Sequence, residues 1–510
     1  MQILTPHLPR SRRDFIKHLL ASSTLSVGLA FSAFADGPPL SQRDALGPQY
    51  KSSNLPKPKP KPKKGVGTFL RWNQIAIDAS GYDHGAAREQ LGPCRSSRAM
   101  AIVHIAMFDA INAVVGDYEG YTDVEAPKGS LSLEAAVSQA AHDTLVALFP
   151  SQAATFDTEL AEDLADIKNG KDKAKGIDLG QRAAAAILTL RNHDGSEIPE
   201  PRMGVDHITS DLPGHWRQDP ISHIPLAMGA YWAKCAPFVL ESASQFRCPP
   251  FPALDSPEYA VAYDEVKRLG GDGVVTPTER TPEQTFAGIF WAYDGTPSLC
   301  APPRLYNQII AQVTEQTGAG GMELARLLTL ANIAMADAGI ACWDSKYFYD
   351  IWRPITGIRE SDAGTGPTGA GDGNAATVGD PNYSPLGAPA SNLTGPNFTP
   401  PFPAYPSGHA SFGGALFQTL RRFYGTDKVK FTFVSDEFNG ETKGNDGVVR
   451  PYLPRQFKSF SQAEEENGQS RIYLGIHWSF DKTEGIALGQ DVADYVYKHA
   501  YTPRRKGKGH

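Results

Sequence analysis

Apolar residues recur at three- and four-residue steps along 97–116, 132–149, 176–191, 322–340, 407–424 and 483–500. That period predicts helices with a buried face. Ser132, followed by Glu134 and an Ala-rich run, suits a helix start. Few stretches alternate apolar and polar positions with β-branched residues, so strands are expected to be rare. The pattern predicts an all-α fold of packed helical bundles. The run 361–378, "SDAGTGPTGAGDGNAATV", has no periodicity and reads as a mobile surface loop.

The first 65 residues stand apart from this pattern. Arg12 and Arg13 precede Phe15, Ile16 and Lys17, then an apolar run ending in Ala33-Phe34-Ala35. This is the layout of a twin-arginine signal peptide over residues 1–35, which predicts a folded chain exported to the periplasm or beyond. The apolar run is too short and too rich in Ser, Gly and Ala to hold a membrane, and no membrane span is expected elsewhere. Residues 36–65 include "PKPKPKPKK" (56–64), which cannot build a core and reads as an extended tether. The folded domain is expected over 66–510.

Composition narrows the chemistry. The chain has 510 residues, of which 41% are hydrophobic, enough for a large core, and its net charge of −7 lacks the basic footprint of a nucleic-acid binder. The five cysteines, Cys94, Cys235, Cys248, Cys300 and Cys342, show no C-x-x-C spacing. Their odd number leaves one unpaired in a monomer, and buried free thiols are the expected state.

Three stretches carry candidate chemistry. In "CWDSKYFYDIWRP" (342–354), Lys346 and Arg353 lie seven residues apart, nearly two helical turns, so both cations fall on one face. Pro354 disfavours helical geometry at Arg353, which would then project from a terminus. The plainer alternative is a solvated cationic stripe. In "PPFPAYPSGHASFGGALF", Ser407 is a good N-cap, Gly408 lets a ligand approach the backbone, and His409 sits in the first turn. A helix N-terminus suits an oxyanion, although a lone histidine there is more often structural. In "SRIYLGIHWSFD" (470–481), Gly475 offers a break that brings Arg471 and His477 toward one point, and Asp481 can orient His477. Core packing of Tyr473, Leu474 and Trp478 is the competing explanation. As a set, three cations, a hydroxyl, an amide and two imidazoles match a tetrahedral oxyanion such as phosphate or vanadate.

The three-part pattern K-x6-R-P, P-S-G-H and S-R-x5-H-x3-D resembles the superfamily joining vanadium haloperoxidases to type 2 phosphatidic acid phosphatases. "FWAYDGTPSLCAPPRLYNQI" (290–309), "WRPITGIR" (352–359), "PPFPAYPSGHASFGGALFQTLRRFY" (400–424) and "SRIYLGIHWSFD" bring it closer to the fungal-type vanadium chloroperoxidases. The likeness covers about 285–500, with the active-site motifs in 290–485.

This resemblance implies two packed four-helix bundles and a vanadate cofactor. It implies His477 as the metal ligand and His409 as the acid–base partner of the apical oxygen. Lys346, Arg353, Ser407, Gly408 and Arg471 would hold the other oxygens, with Lys346 also polarising bound peroxide. Asp294 matches the carboxylate that pairs with Arg471, and Trp343 and Phe402 match the aromatic pair beside the halide. The implied activity is oxidation of chloride or bromide by hydrogen peroxide to hypohalous acid, through a peroxovanadate on His477. Phe402 stands where bromoperoxidases of the family carry a second histidine, which leans toward the chloroperoxidase type. The alternative is an acid phosphatase on the same scaffold with His477 as nucleophile. A dimer is compatible with the family but does not follow from the sequence.

Overall fold

The computed structural model describes residues 45–52 and 67–504. The expected twin-arginine leader and the Pro-Lys run both lie outside the described residues. Residues 45–52 fall inside the stretch expected to be a tether, yet Ala45, Leu46 and Tyr50 are buried. Lys51–Ser52 (β1) pairs antiparallel with Leu393–Thr394 (β2). Three apolar side chains and two paired backbone residues hold this piece in place.

Thirteen α-helices hold about half of the described residues, which include only two two-stranded ribbons. The first bundle comprises α1 (Thr68–Gly85), α2 (Gly92–Val115), α3 (Leu133–Leu148) and α5 (Lys171–Leu190), with α4 (Ala153–Ala165) alongside α3. Ser132 caps α3 as expected, accepting from the Ala135 N–H at 3.1 Å. Helices α6 (Pro257–Gly270), α7 (Pro282–Phe290) and α8 (Pro302–Thr317) lead to the second bundle. That bundle holds α9 (Gly321–Tyr349), α11 (Gly408–Tyr424), α12 (Phe460–Tyr473) and α13 (Ser479–His499). The short α10 (Pro354–Arg359) follows α9, and β3 (Phe431–Phe433) pairs with β4 (Arg455–Phe457) between α11 and α12.

The expected helices are all present, with ends moved by up to nine residues. By length and composition alone, two helices could cross a membrane. Gly92–Val115 and Gly321–Tyr349 are both long and apolar enough, and 78% and 100% of their most apolar windows are buried inside the protein. A helix that is apolar all round fits the middle of a large core. Here α2 and α9 pack on each other and join the two bundles.

Close approach of backbones fixes the part that matters for function. A Cβ on Gly489 of α13 would lie 2.1 Å from the Ser411 carbonyl oxygen, and one on Gly485 would lie 2.8 Å from that of Ser407. Glycine lets α13 press directly on the first turns of α11. The Gly-rich run 361–378 is irregular, as expected, but pinned: Tyr263 Oη donates to Val378 O at 2.7 Å, and Asn374 Nδ2 donates to Leu254 O at 2.8 Å. All five cysteines are buried and free.

One buried group in the first bundle gives a measurable pH effect. His104 on α2 sits between Met100 O (2.7 Å) and Asn73 Oδ1 (2.9 Å), and burial pushes its pKa down from 6.5 to about 4. The unfolded chain binds a proton near the ordinary value, whereas the native chain resists until about pH 4. Stability is therefore unaffected above about pH 6.5 and lost as pH falls toward 4, by up to about 3 kcal/mol. Thermal melts of the parent and of His104→Asn across this window should show a flatter pH dependence in the variant. Parallel curves would remove the assignment.

Candidate active site

Helix α9 does not carry both cations on one face. It ends at Tyr349, where Asp350 takes the left-handed conformation (φ 52°), because the chain must turn before Pro354. Arg353 instead caps α10 with extended backbone (φ −78°, ψ 156°), and its side chain reaches the site from that cap. Nε donates to Phe402 O at 2.9 Å, and Nη1 donates to Ile476 O at 2.9 Å and lies 2.9 Å from His477 Nε2. Nη2 is buried with no partner.

Lys346, in the last turn of α9, is fully buried. Its ammonium donates to Pro403 O at 2.9 Å, Ala404 O at 3.0 Å and Pro406 O. Three bonds use all of its protons. Burial pushes its pKa down to about 7. Nζ also lies 5.1 Å from the Phe402 ring centre and 5.5 Å from the Trp343 ring centre. The loop 403–406 thus collars the Lys346 charge with backbone carbonyls.

Ser407 caps α11, its Oγ accepting from the Ala410 N–H at 3.4 Å. The hydroxyl proton remains available to donate. Gly408 is the first helical residue, so its N–H has no partner within the helix. A Cβ there would stand 3.1 Å from the Trp343 ring, tighter than most contacts tolerate. His409 Nε2 meets the Ala292 carbonyl, which makes Nε2 the protonated nitrogen and Nδ1 the acceptor. Burial and the nearby Arg471 and Lys346 charges keep the ring well below its ordinary pKa. The His409 carbonyl accepts from Tyr306 Oη at 2.8 Å and Asn467 Nδ2 at 2.9 Å, which fixes the turn that presents the ring.

The third stretch breaks as the sequence suggests. Gly475 adopts φ 72° between α12 and α13, so Arg471 ends one helix while His477 precedes the next. His477 Nδ1 bonds Asp481 Oδ2 at 2.7 Å. The same carboxylate oxygen accepts the Trp478 N–H at 3.0 Å and so caps α13. With Nδ1 donating and Arg353 donating to Nε2, the ring is neutral and Nε2 carries a lone pair. Burial, with Arg353 as the foremost neighbouring charge, holds the His477 pKa well below its usual value. Burial pushes Asp481 up to about 7. Arg471 Nη2 bonds Asp294 Oδ1 at 2.5 Å, while Nε and Nη1 are buried without partners.

One cavity gathers these groups. Its polar end is formed by Asp294, Gly408, His409, Arg471 and His477, and Trp343 and Phe402 stand beside it. Those two rings lie 4.9 Å apart at 60°. Apolar side chains, among them Ala45, Leu46, Ile224 and Phe398, wall the rest. Three buried guanidinium nitrogens without acceptors are costly, and Lys346, Arg353 and Arg471 outnumber Asp294 and Asp481. Both facts call for an oxyanion, and a neutral imidazole lone pair beside it suits a ligand to an electrophilic centre. The residues present thus fit a vanadate-like or phosphate-like group.

Of the sequence-predicted residues, Asp294, Trp343, Phe402, Gly408, His409, Arg471 and His477 line the cavity. Arg353 touches His477. Ser407 and Lys346 lie behind them, at the helix cap and under the loop. Sequence reasoning passed over Tyr306 and Asn467, which hold His409 in place, and the Ala292 carbonyl. Tyr306 and Ala292 sit within the quoted 290–309 motif, whereas nothing local marks Asn467.

Comparison with known proteins follows the geometry. Residues 326–506 match the family described as the VCPO second helical-bundle domain. The chain is 28% identical over 511 residues to the vanadium chloroperoxidase of Curvularia inaequalis, across 84% of this chain and 81% of that protein. Its fold resembles that of the crystal structure of the first bacterial vanadium-dependent iodoperoxidase. That match has a TM-score of 0.69 at 23% identity and covers 88% of this chain and all of the other. It also resembles an apo-type bacterial vanadium-dependent chloroperoxidase, with a TM-score of 0.58 at 17% identity over 80% of this chain and 94% of the other.

Proposed function

We propose that this chain, whose residues 326–506 carry the VCPO second helical-bundle domain and whose fold is that of the vanadium haloperoxidases, is itself a vanadium-dependent haloperoxidase. In this reading it oxidises chloride or bromide with hydrogen peroxide to hypohalous acid. The observation that carries it is the set of buried, unpartnered donors on Arg353 and Arg471 facing a His477 ring whose Nε2 lone pair is set by Asp481.

Vanadate, when bound, supplies a pentavalent Lewis acid that makes peroxide electrophilic toward a halide. The chain's own residues do the rest. His477 offers Nε2 as ligand, and Asp481 holds the tautomer that keeps Nε2 unprotonated. Arg353 and Arg471 neutralise the anion's charge and donate to its oxygens, joined by the Ser407 hydroxyl and the Gly408 amide. His409, neutral and anchored through Nε2, takes the proton released by peroxide at Nδ1. Lys346 shapes the 403–406 loop and adds a positive field. For Lys346 to bond an anion oxygen directly, it must give up one of its three carbonyls. Trp343 and Phe402 provide a polarisable wall where a weakly hydrated halide can rest. The reading includes export of the folded chain through the twin-arginine leader.

Asp481→Asn removes the anionic acceptor that sets the His477 tautomer. Vanadate affinity is expected to drop about 10- to 100-fold, the scale of lost outer-shell partners, as measured by equilibrium dialysis. Unchanged affinity would mean that the pair serves only the helix cap.

The overall test compares halogenation of a dimedone-type acceptor with hydrolysis of p-nitrophenyl phosphate, in vanadate-free and vanadate-loaded protein. Iodide, bromide and chloride are supplied separately. Vanadate-dependent halogenation with chloride is the expected result. Turnover of bromide or iodide without chloride would correct the halide. Phosphate ester hydrolysis with no halogenation would replace the reading by the acid phosphatase.

A further inference from the structure

A methionine stands in the wall of the same cavity. Met228 is half-buried and lines it together with Gly92, Leu91, Trp343 and Phe402. Its sulfur is placed closely: a Cβ built on Gly92 would lie 2.6 Å from Met228 Sδ. The thioether thus rests against the bare face of Gly92, and both residues line the cavity. The backbone there is held firmly, since Met228 O accepts from Trp343 Nε1 at 3.0 Å and from Tyr347 Oη at 2.9 Å. The polar end of this cavity holds His409, Arg471 and His477. An electrophilic halogen species made there would share the cavity with an oxidisable sulfur.

The other methionines provide an internal scale. Met100, Met107 and Met335 are fully buried in the helical core. Met203 and Met322 are half-buried like Met228, but neither lines the cavity. Exposure alone does not separate Met228 from these two, whereas position on the cavity does.

We propose that Met228 is a turnover-dependent oxidation site: the hypohalous acid generated in this cavity converts its thioether to the sulfoxide. The inference rests on the haloperoxidase reading. Sulfur attacks the halogen, forming a sulfur–halogen bond and releasing hydroxide. A water oxygen then bonds to sulfur, halide departs with the electrons of the sulfur–halogen bond, and the water gives up both protons. One of those protons neutralises the hydroxide. In sum, one hypohalous acid and one thioether give one sulfoxide, one halide and one proton. Sulfur loses two electrons and the halogen gains two, so the oxidant is the reaction's own product. The change turns an apolar wall residue into a polar, chiral one beside Trp343.

The experiment uses the full chain loaded with vanadate and supplied with peroxide and bromide, followed by peptide mass spectrometry over increasing turnover. A gain of one oxygen at Met228 ahead of Met203 and Met322, absent when bromide, vanadate or peroxide is omitted, is the expected result. A parallel sample receives reagent hypobromite from bulk solution. There the preference for Met228 should shrink toward the level of Met203 and Met322. Equal oxidation of the three during turnover would overturn the inference, as would acceptor halogenation with Met228 unmodified. If no acceptor is halogenated, the haloperoxidase reading has failed and the inference falls with it. Met228→Leu, which keeps the apolar volume without sulfur, should remove that mass shift and raise oxidation at no buried methionine.

Discussion

His477→Ala is expected to abolish peroxide-dependent halide oxidation, a loss of about 10³-fold or more, as when one member of a catalytic unit is removed. The reason is geometric. Among the described residues, the ring is the only neutral nitrogen base in contact with Arg353 whose second nitrogen is fixed by a carboxylate, Asp481. Its loss also leaves one hydrogen-bond partner short on each side, at a cost of about 1–3 kcal/mol. Melting curves would show a fold that is weakened but present. Bromination rate and vanadate dialysis on the same preparation separate lost ligation from lost folding. Activity comparable to the parent in a folded variant would remove His477 from the site.

Arg471→Ala should cost more in stability than any other single change at the site. The Asp294 side chain is almost wholly buried, its one charge-paired oxygen bonds Arg471, and its other oxygen already lacks a partner. Burial raises its pKa even with the arginine present. Breaking a buried pair from one side costs about 3–5 kcal/mol, readable by urea unfolding. The double variant Arg471→Ala/Asp294→Ala is expected to recover most of that stability, because no uncompensated charge remains. It should not recover oxyanion binding, since two of the unpartnered buried N–H groups belong to Arg471. Recovery of both would mean that the pair is structural alone.

Much of this architecture was legible in the chain because the helices are long and strongly periodic. The stretches 132–149 and 407–424 match α3 and α11 to within a residue at each end. The site was legible for a different reason: its groups cluster in short motifs, and Gly475 and Ser407 act locally to turn or cap the backbone. What failed were inferences that depend on tertiary contact. Spacing on a helix suggested that Lys346 and Arg353 share a face, but the chain leaves the helix at Asp350, and the two cations meet through loop 402–406. That three carbonyls converge on the Lys346 ammonium is not visible in a sequence. Tyr306 and Asn467 come from α8 and α12, and only the folded backbone brings them to the carbonyl of His409. The apolar character of α2 and α9 was read correctly as burial but underestimated in length.

The short segment at 45–52 has a practical corollary for anyone preparing this protein. The proline–lysine stretch invites trimming the gene at its far side, near Gly67. A protein begun there would lose Ala45 and Leu46, two side chains that close part of the passage to His477, along with the edge pairing of Leu393 and Thr394. Its mouth would be wider than that of the parent, so acceptor preferences measured on such a shortened product would describe a different doorway.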